Sequence, residues 1–349
     1  MITLGALLEY AEDHPNEKIV FFMPRSNGPC RLGCYNLLDK MVLQRLGLSD
    51  RISVWSMTDT DYSEGVPVDL FVAIYMSFIA CDTLMAGLYH VRPVESEPGA
   101  ANKIYQKYLN RILGILKNYQ YKPLWQLAVA KEILTKHFFG LPEIVQDCAR
   151  EYAAIKTDKK IPTVCVTGEI FVRNEPFTND FVIHALESRG IRVLFSHFIE
   201  WIEYADIINH EILKTANSMT EKITSVLTRY MFRAFYQPMA DTLQWHRRHD
   251  VHHILAVAQP YLRPEIVGEE ILTVGTPLTA YKQKEIQGVV SVGPLECMPS
   301  KIAESQFYHI AENEGLPSLC LSFNGDPIPD SVLDDFCFTV QKKFAETIK

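Results

Sequence analysis

From Thr163 onward, short β-branched runs alternate with helical stretches, and no other feature constrains the fold as strongly. "TVCVTGEI" (163–170), "IRVLFSHF" (191–198), "GVVSVGP" (288–294) and "PSLCLSF" (317–323) read as strands. "NDFVIHALESRG" (179–190), a segment around Val267–Leu278, "SKIAESQFYHIAENEG" (300–315) and "DSVLDDFCFTVQKKFAETI" (330–348) read as helices. A mostly helical insert runs from about Ile199 to His249, with "HHILAVA" (252–258) after it. Strands and helices in strict alternation imply an α/β fold with a doubly wound parallel sheet of the Rossmann or flavodoxin-like type.

The first half repeats the theme less cleanly. "KIVFFM" (18–23) and "RISVWSM" (51–57) read as strands. Between them Leu37, Leu38, Met41, Val42 and Leu46 recur at helical spacing, which predicts a helix over 32–46. A helical pattern then runs from Val68 to about Ala153, interrupted near Pro93–Gly99 and at Gly140-Leu141-Pro142. The polar, proline-ended "KTDKKIP" (156–162) marks the expected boundary between two α/β domains, 1–157 and 158–349. A length of 349 residues is more than one core usually serves.

Charge narrows the partners. Lys and Arg number 34 against 42 Asp and Glu, a net charge of −8, and no long basic run occurs. That balance argues against a nucleic-acid backbone or an anionic membrane as main partner. No apolar run approaches the ~20 residues of a membrane span, and the N-terminal "MITLGALLEYAEDHPNEK" lacks the basic start of a secretory signal. The eight cysteines therefore read as reduced thiols of a cytoplasmic protein.

In parallel sheets, ligands gather beyond the carboxyl ends of strands. By that rule Cys30 and Cys34, in "MPRSNGPCRLGCYNLL" (23–38), and Cys297, in "VVSVGPLECMPSKIAES" (289–305), occupy strand-to-helix loops. Cys165 and Cys320 lie within strands and Cys81, Cys148 and Cys337 within helices, where thiols pack as small hydrophobes. A thiolate at a helix start is stabilised by the dipole and by unpaired N–H groups, and Arg25 and Arg31 flank Cys30. Spacing leaves three options open: a metal or cluster site, a redox pair, or packed thiols. Cys-x3-Cys plus one distant cysteine matches no compact ferredoxin pattern, and it lacks the CxxC of disulfide oxidoreductases.

A third strand-end loop carries Glu169, Arg173, Asn174, Asn179 and Asp180. Asn179 or Asp180 is read as a cap of the following helix, while Glu169 and Arg173 either line the site or form a structural ion pair. "WHRRHDVHH" (245–253) would set His246, His249 and His253 on one helical face, a spacing read as a solvated face rather than a zinc site. No GxxxxGK[ST], GxGxxG or GxSxG motif occurs.

"VFFMPRSNGPCRLGCYNLL" (20–38) resembles the "FMP-T-ANGPCRFGQY" segment of the family of 2-hydroxyacyl-CoA dehydratases and their activases, kin of 2-hydroxyglutaryl-CoA dehydratase and benzoyl-CoA reductase subunits. "VTGEIFVRNEPFTNDFVIHALESRGIRVLFSHFIEWIEY" (166–204) resembles its "GEIYVRNNPFANDFVIRKLEE-G" block. "RPEIVGEEILTVG" (263–275), "VVSVGPLECMPSKIAE" (289–304) and "LPSLCLSFNGDPIP" (316–329) resemble its later blocks in the same order. The resemblance implies a 4Fe-4S cluster at a domain cleft, with Cys30 matching the cysteine of the GPC motif and Cys297 that of the GCMP motif. It also implies low-potential electron transfer fed by a separate ATPase activase or other electron donor, with an acyl-CoA as substrate and an oligomer as a compatible state.

Two departures stand out. The family's further cysteine, in a "CLP" stretch ahead of the segment matching Thr3–Tyr10, has no counterpart, and Cys34 replaces the usual glutamine and offers a substitute ligand. Glu296 and Ser300 stand where relatives often have glycine. The alternative that follows is a cluster-free or truncated relative acting as a subunit or scaffold.

Overall fold

A computed structural model describes residues 2–24, 30–56, 67–120, 125–212, 219–245 and 249–347. Arg25, the turn at Asn27-Gly28-Pro29 and His246 lie outside them. The chain divides into two units, 1–71 and 72–349.

The first unit comprises α1 (Ile2–Asp13), β1 (Ile19–Phe22), α2 (Leu32–Arg45) and β2 (Ile52–Trp55). Its strands pair in parallel, Ile19 with Ile52 through Phe22 with Trp55. Leu4, Leu7, Ala11, Leu43 and Ile52 form its core. The Arg51 guanidinium closes the end of α1 by donating to the carbonyls of Ala11 (3.0 Å) and His14 (2.9 Å). Apolar spacing predicts that α2 packs through Leu37, Leu38, Met41, Val42 and Leu46, but Leu37 is 61% exposed and Leu46 53%. The helix instead buries Asn36, Asp39 and Leu43.

Helix α3 (Val68–Val91) crosses the division, and the second unit continues with α4 (Ala100–Lys117), α5 (Trp125–Leu134) and α6 (Leu141–Ile155). Then come β3 (Thr163–Gly168), α7 (Ile170–Asn174), α8 (Val182–Ser188), β4 (Arg192–Phe195), α9 (Phe198–Ile207), α10 (Met219–Leu243), α11 (Val251–Ala258) and α12 (Glu270–Lys282). β5 (Gly288–Pro294), α13 (Met298–Glu314), β6 (Ser318–Phe323) and α14 (Asp330–Thr347) complete it. The four strands form an all-parallel sheet in the order β4-β3-β5-β6. The fold class is therefore α/β, with parallel sheets flanked by helices.

Side chains alternate across the sheet, as the twofold strand period requires. Val164, Val166, Val193, Phe195, Val290 and Val292 join the larger core with α3, α6, α8, α10 and α14. Cys165 and Val289 join the other core with α9, α11, α12 and α13. The division after Thr157 expected from sequence is not where the units separate, for a packing reason. Met76, Ile79, Val145 and Tyr152 of α3 and α6 share one core with Val164 and Val290, so the helices ahead of 157 cover one face of the second unit's sheet. Helix α3 also corrects the expectation about apolar runs. Its stretch Asp69–Val94 is long and apolar enough to cross a membrane, yet more than half of it is buried against the rest of the protein.

The chain runs β3 to β4 on one side, then returns to place β5 on the other side of β3. The carboxyl ends of β3 and β5 thus meet at a topological switch point. Gly168 makes that meeting close. It sits at φ +112°, and a Cβ there would overlap the Val292 carbonyl. Glu169 N–H donates to the same carbonyl at 2.8 Å. Gly168→Ala is expected to destabilise the second unit by about 3 kcal/mol or more, from steric overlap plus a left-handed backbone. Urea unfolding measures this, and an unchanged midpoint would refute the close approach.

Candidate functional site

Four residues cluster around the β3–β5 switch: Glu169 and Arg173 beyond β3, Cys297 beyond β5, and Glu269 just ahead of α12. Each is placed by local rules. Glu169 is the N-cap of α7, its carboxylate accepting from the N–H groups of Phe171 (3.1 Å) and Val172 (2.7 Å). Arg173 is buried, donates through Nη1 to the Gly168 carbonyl at 3.0 Å and lies over the Phe195 ring at 5.9 Å. Its Nε is buried with no hydrogen-bond partner. The structural Glu169–Arg173 ion pair does not form among the described residues, because both carboxylate oxygens of Glu169 are committed to the cap.

Cys297 is the N-cap of α13 and is 7% exposed. Burial pushes its thiol up, opposed by hydrogen bonds from the Ser300 hydroxyl and N–H, while the charges of Glu269 and Glu169 push it further up. Glu296, at φ +61°, adopts the left-handed conformation that glycine takes most easily. Ser300 packs so closely on Gly293 that a Cβ there would strike its hydroxyl.

Glu269 is pushed up to about 7, first by burial and then by the charge of Glu169, with Arg173 opposing. A carboxyl group at that value exchanges protons at neutral pH, as a general acid or base must. Its neighbour Glu270 is also buried and raised, chiefly by desolvation.

A crevice beside this cluster is lined by Thr167, Arg173, Ser196, His197, Glu269 and Thr273, among others. It leaves about 10 Å³ open to the centre of a water molecule, room for one water. His197 accompanies Asp82, Nδ1 to Oδ2 3.3 Å, with both side chains buried. Thr276 donates to Glu200 at 3.0 Å.

Glu169 and Glu269 lie close enough to Cys297 to act on its thiol, and Glu169 and Arg173 act in the same way on Glu269. Cys30 (half-buried) and Cys34 (exposed) belong to the first unit, at the β1-to-α2 turn and in the first turn of α2. Neither Asn179 nor Asp180 is the N-cap of α8, which is Phe181: Asn179, two residues ahead of it, accepts from Val182 N–H at 3.3 Å, and Asp180 accepts from Ile328 N–H at 2.8 Å. The helical histidine face is not continuous. Asp250 caps α11, so His249 precedes that helix and bonds Glu285 at 2.9 Å, while His252 contacts Glu211 at 3.0 Å. No group of three metal-ligating side chains occurs among the described residues.

Sequence patterning missed Glu269, Asp82 and His197. The strand-end rule would have found His197, which follows β4 directly. Glu269 stands in a quoted block but carries no spacing signal, and Asp82 sits in a uniformly apolar helix. Comparison with family models, with curated proteins and with solved structures gave no match.

The Glu269 environment sets a pH dependence. Unfolded, the group ionises at its ordinary 4.5; folded, at about 7. The folded state binds the extra proton between these values, so its contribution is fully present below 4.5 and lost as pH rises through 7. Glu269→Gln is expected to flatten that slope and to stabilise the protein at neutral pH by about 1–3 kcal/mol. Urea unfolding across this range tests it; an unaltered slope in the variant would refute it.

Proposed function

We propose that this chain is the iron–sulfur component of a low-potential electron-transfer system related to the 2-hydroxyacyl-CoA dehydratases, with Cys30 and Cys297 as thiolate ligands and Cys34 as the substitute third ligand. The observation that carries the reading is Cys297: a buried cysteine at a helix N-cap, beyond a parallel strand at the switch point, flanked by Glu169 and Glu269.

The surroundings of Cys297 support this reading. Two carboxylates beside a desolvated sulfur disfavour a bare thiolate but favour a cation, and bound iron reverses the local sign so that the thiol ionises. Ser300 lies beside that sulfur and favours its ionised form, the kind of polar neighbour that tunes a cluster's potential. When bound, a 4Fe-4S cluster supplies one-electron transfer, and an iron without a protein ligand supplies Lewis acidity toward a substrate oxygen.

The chain's own residues have distinct parts in this reading. Arg173, held by the Gly168 carbonyl, keeps a buried donor for an anionic group. Glu269 holds or releases a proton at neutral pH beside it. The electron comes from a separate ATPase activase or another donor, and an acyl-CoA thioester is the substrate class.

Anaerobic reconstitution with ferrous iron and sulfide tests the proposal. The wild-type chain is expected to gain broad absorption at about 400 nm, typical of thiolate-to-iron charge transfer, with matching iron and sulfide content. Cys30→Ala and Cys297→Ala should each lose it, and Cys34→Ala should reduce it. A colourless wild-type protein would overturn the proposal in favour of a cluster-free subunit or scaffold.

A further inference from the structure

Away from the switch point, a second and larger cavity of about 210 Å³ runs along the outer edge of β4. Its walls are Phe195, Tyr236 and Trp245, the histidines His90 and His197, and the chain of β4 from Arg192 to Phe195. The rings form an ordered box. Tyr236 and Trp245 lie 5.5 Å apart at 30°, His90 meets Trp245 edge-on at 5.1 Å, and His197 meets Tyr236 edge-on at 5.2 Å. Tyr236 is buried and stacked on Phe232 at 5.3 Å, and Phe195 is buried against Tyr89, so half-buried Trp245 is the most exposed of these rings.

One wall carries an unbalanced charge. The Arg192 guanidinium donates through Nε to the His90 carbonyl at 3.1 Å. No carboxylate lies within ion-pairing distance of it among the described residues, and burial alone pushes it below its ordinary range. Glu285, also in the wall, is engaged by His249 at 2.9 Å. A guanidinium that is desolvated without a counter-ion is costly, and a carboxylate matches its planar fork with two parallel hydrogen bonds.

The strand itself adds polar groups. In a parallel strand, alternate residues turn their main-chain groups to the same side. Arg192 and Ser196 donate toward β3, to Pro162 and Val166, at 2.8 and 3.1 Å. Val193 and Phe195, both in the cavity wall, therefore turn theirs to the open edge.

We propose that this cavity is a binding site for a small planar aromatic carboxylate, its ring against Trp245 and the rims of Phe195 and Tyr236 and its carboxylate paired with Arg192. A dry cavity of about 150 Å³ takes benzene, so a volume of about 210 Å³ suits a single ring bearing a carboxylate. The site is separate from Cys30 and Cys297 and requires no cluster.

Calorimetric titration of the full chain with phenylacetate and nicotinate, each against its uncharged amide, tests this. At least one acid is expected to bind saturably, at least tenfold tighter than its amide, with quenching of tryptophan fluorescence from Trp245. Arg192→Gln should erase the acid-over-amide preference, and Ala86→Phe, which fills the cavity from α3, should abolish binding of both forms. Circular dichroism confirms that each variant is folded. If Arg192→Gln fails to fold, the acid–amide comparison on the wild type and the Ala86→Phe variant still decide. Absence of saturable binding by either acid at millimolar concentration, a wild type that binds acid and amide alike, or binding unchanged by Ala86→Phe would overturn the proposal.

Discussion

The carbonyl of Val292 organises the second unit's chemistry. It accepts the Glu169 N–H and forbids any side chain at Gly168, so β3 runs beside β5 to its last residue, Gly168 opposite Val292. From that point α7 and α8 leave toward the core that holds Val164 and Val292, and α13 leaves toward the core that holds Cys165 and Val289. Two helix starts are thereby set beside one another with their chains diverging. The switch point is a consequence of strand order, and Glu169 and Cys297 occupy the N-caps of the two helices that leave it.

Electrostatics at this point run against simple stability. Glu269 and Glu270 both have pKa values raised by burial, and Arg173 keeps one donor without a partner. A folded chain gains nothing from such groups unless something else engages them. The same expense recurs at Arg192, which lines a cavity with no carboxylate within ion-pairing distance of its guanidinium among the described residues. Perturbed groups of this kind collect at sites that bind or react, and here they occur at two places on one sheet.

The strand ends of the second unit were legible in the sequence because β-branched runs such as "TVCVTG" and "GVVSVGP" are short, bounded by glycine or proline, and buried on both faces. Cys297, Glu169 and Arg173 could be located from that alone. Three features were not legible. The apolar residues of α2 share a helical spacing, but spacing does not say which face finds a partner, and Asn36 and Asp39 are buried while Leu37 is not. The unit division was hidden because "KTDKKIP" has the composition of a linker, whereas the helices ahead of it pack on the sheet that follows. Asp82 had no local signal at all, since its significance arises only when α3 meets the turn after β4.

That meeting explains how one sheet supports two polar hollows without losing its core. His197 lines both the crevice near Arg173 and the cavity near Arg192. Asp82 Oδ2 approaches both the imidazole Nδ1 (3.3 Å) and the Ile199 N–H (3.4 Å), so one carboxylate from α3 fixes the ring and the start of α9 together. Phe232 and Tyr236 of α10 hold the ring edge-on from the remaining side. A partition made of an aliphatic residue would leave the polar linings of both hollows without a partner between them. An imidazole offers one nitrogen to Asp82 and keeps the other, with its flat apolar body, for the partition itself. The choice of histidine directly after an edge strand follows from what lies on either side of it.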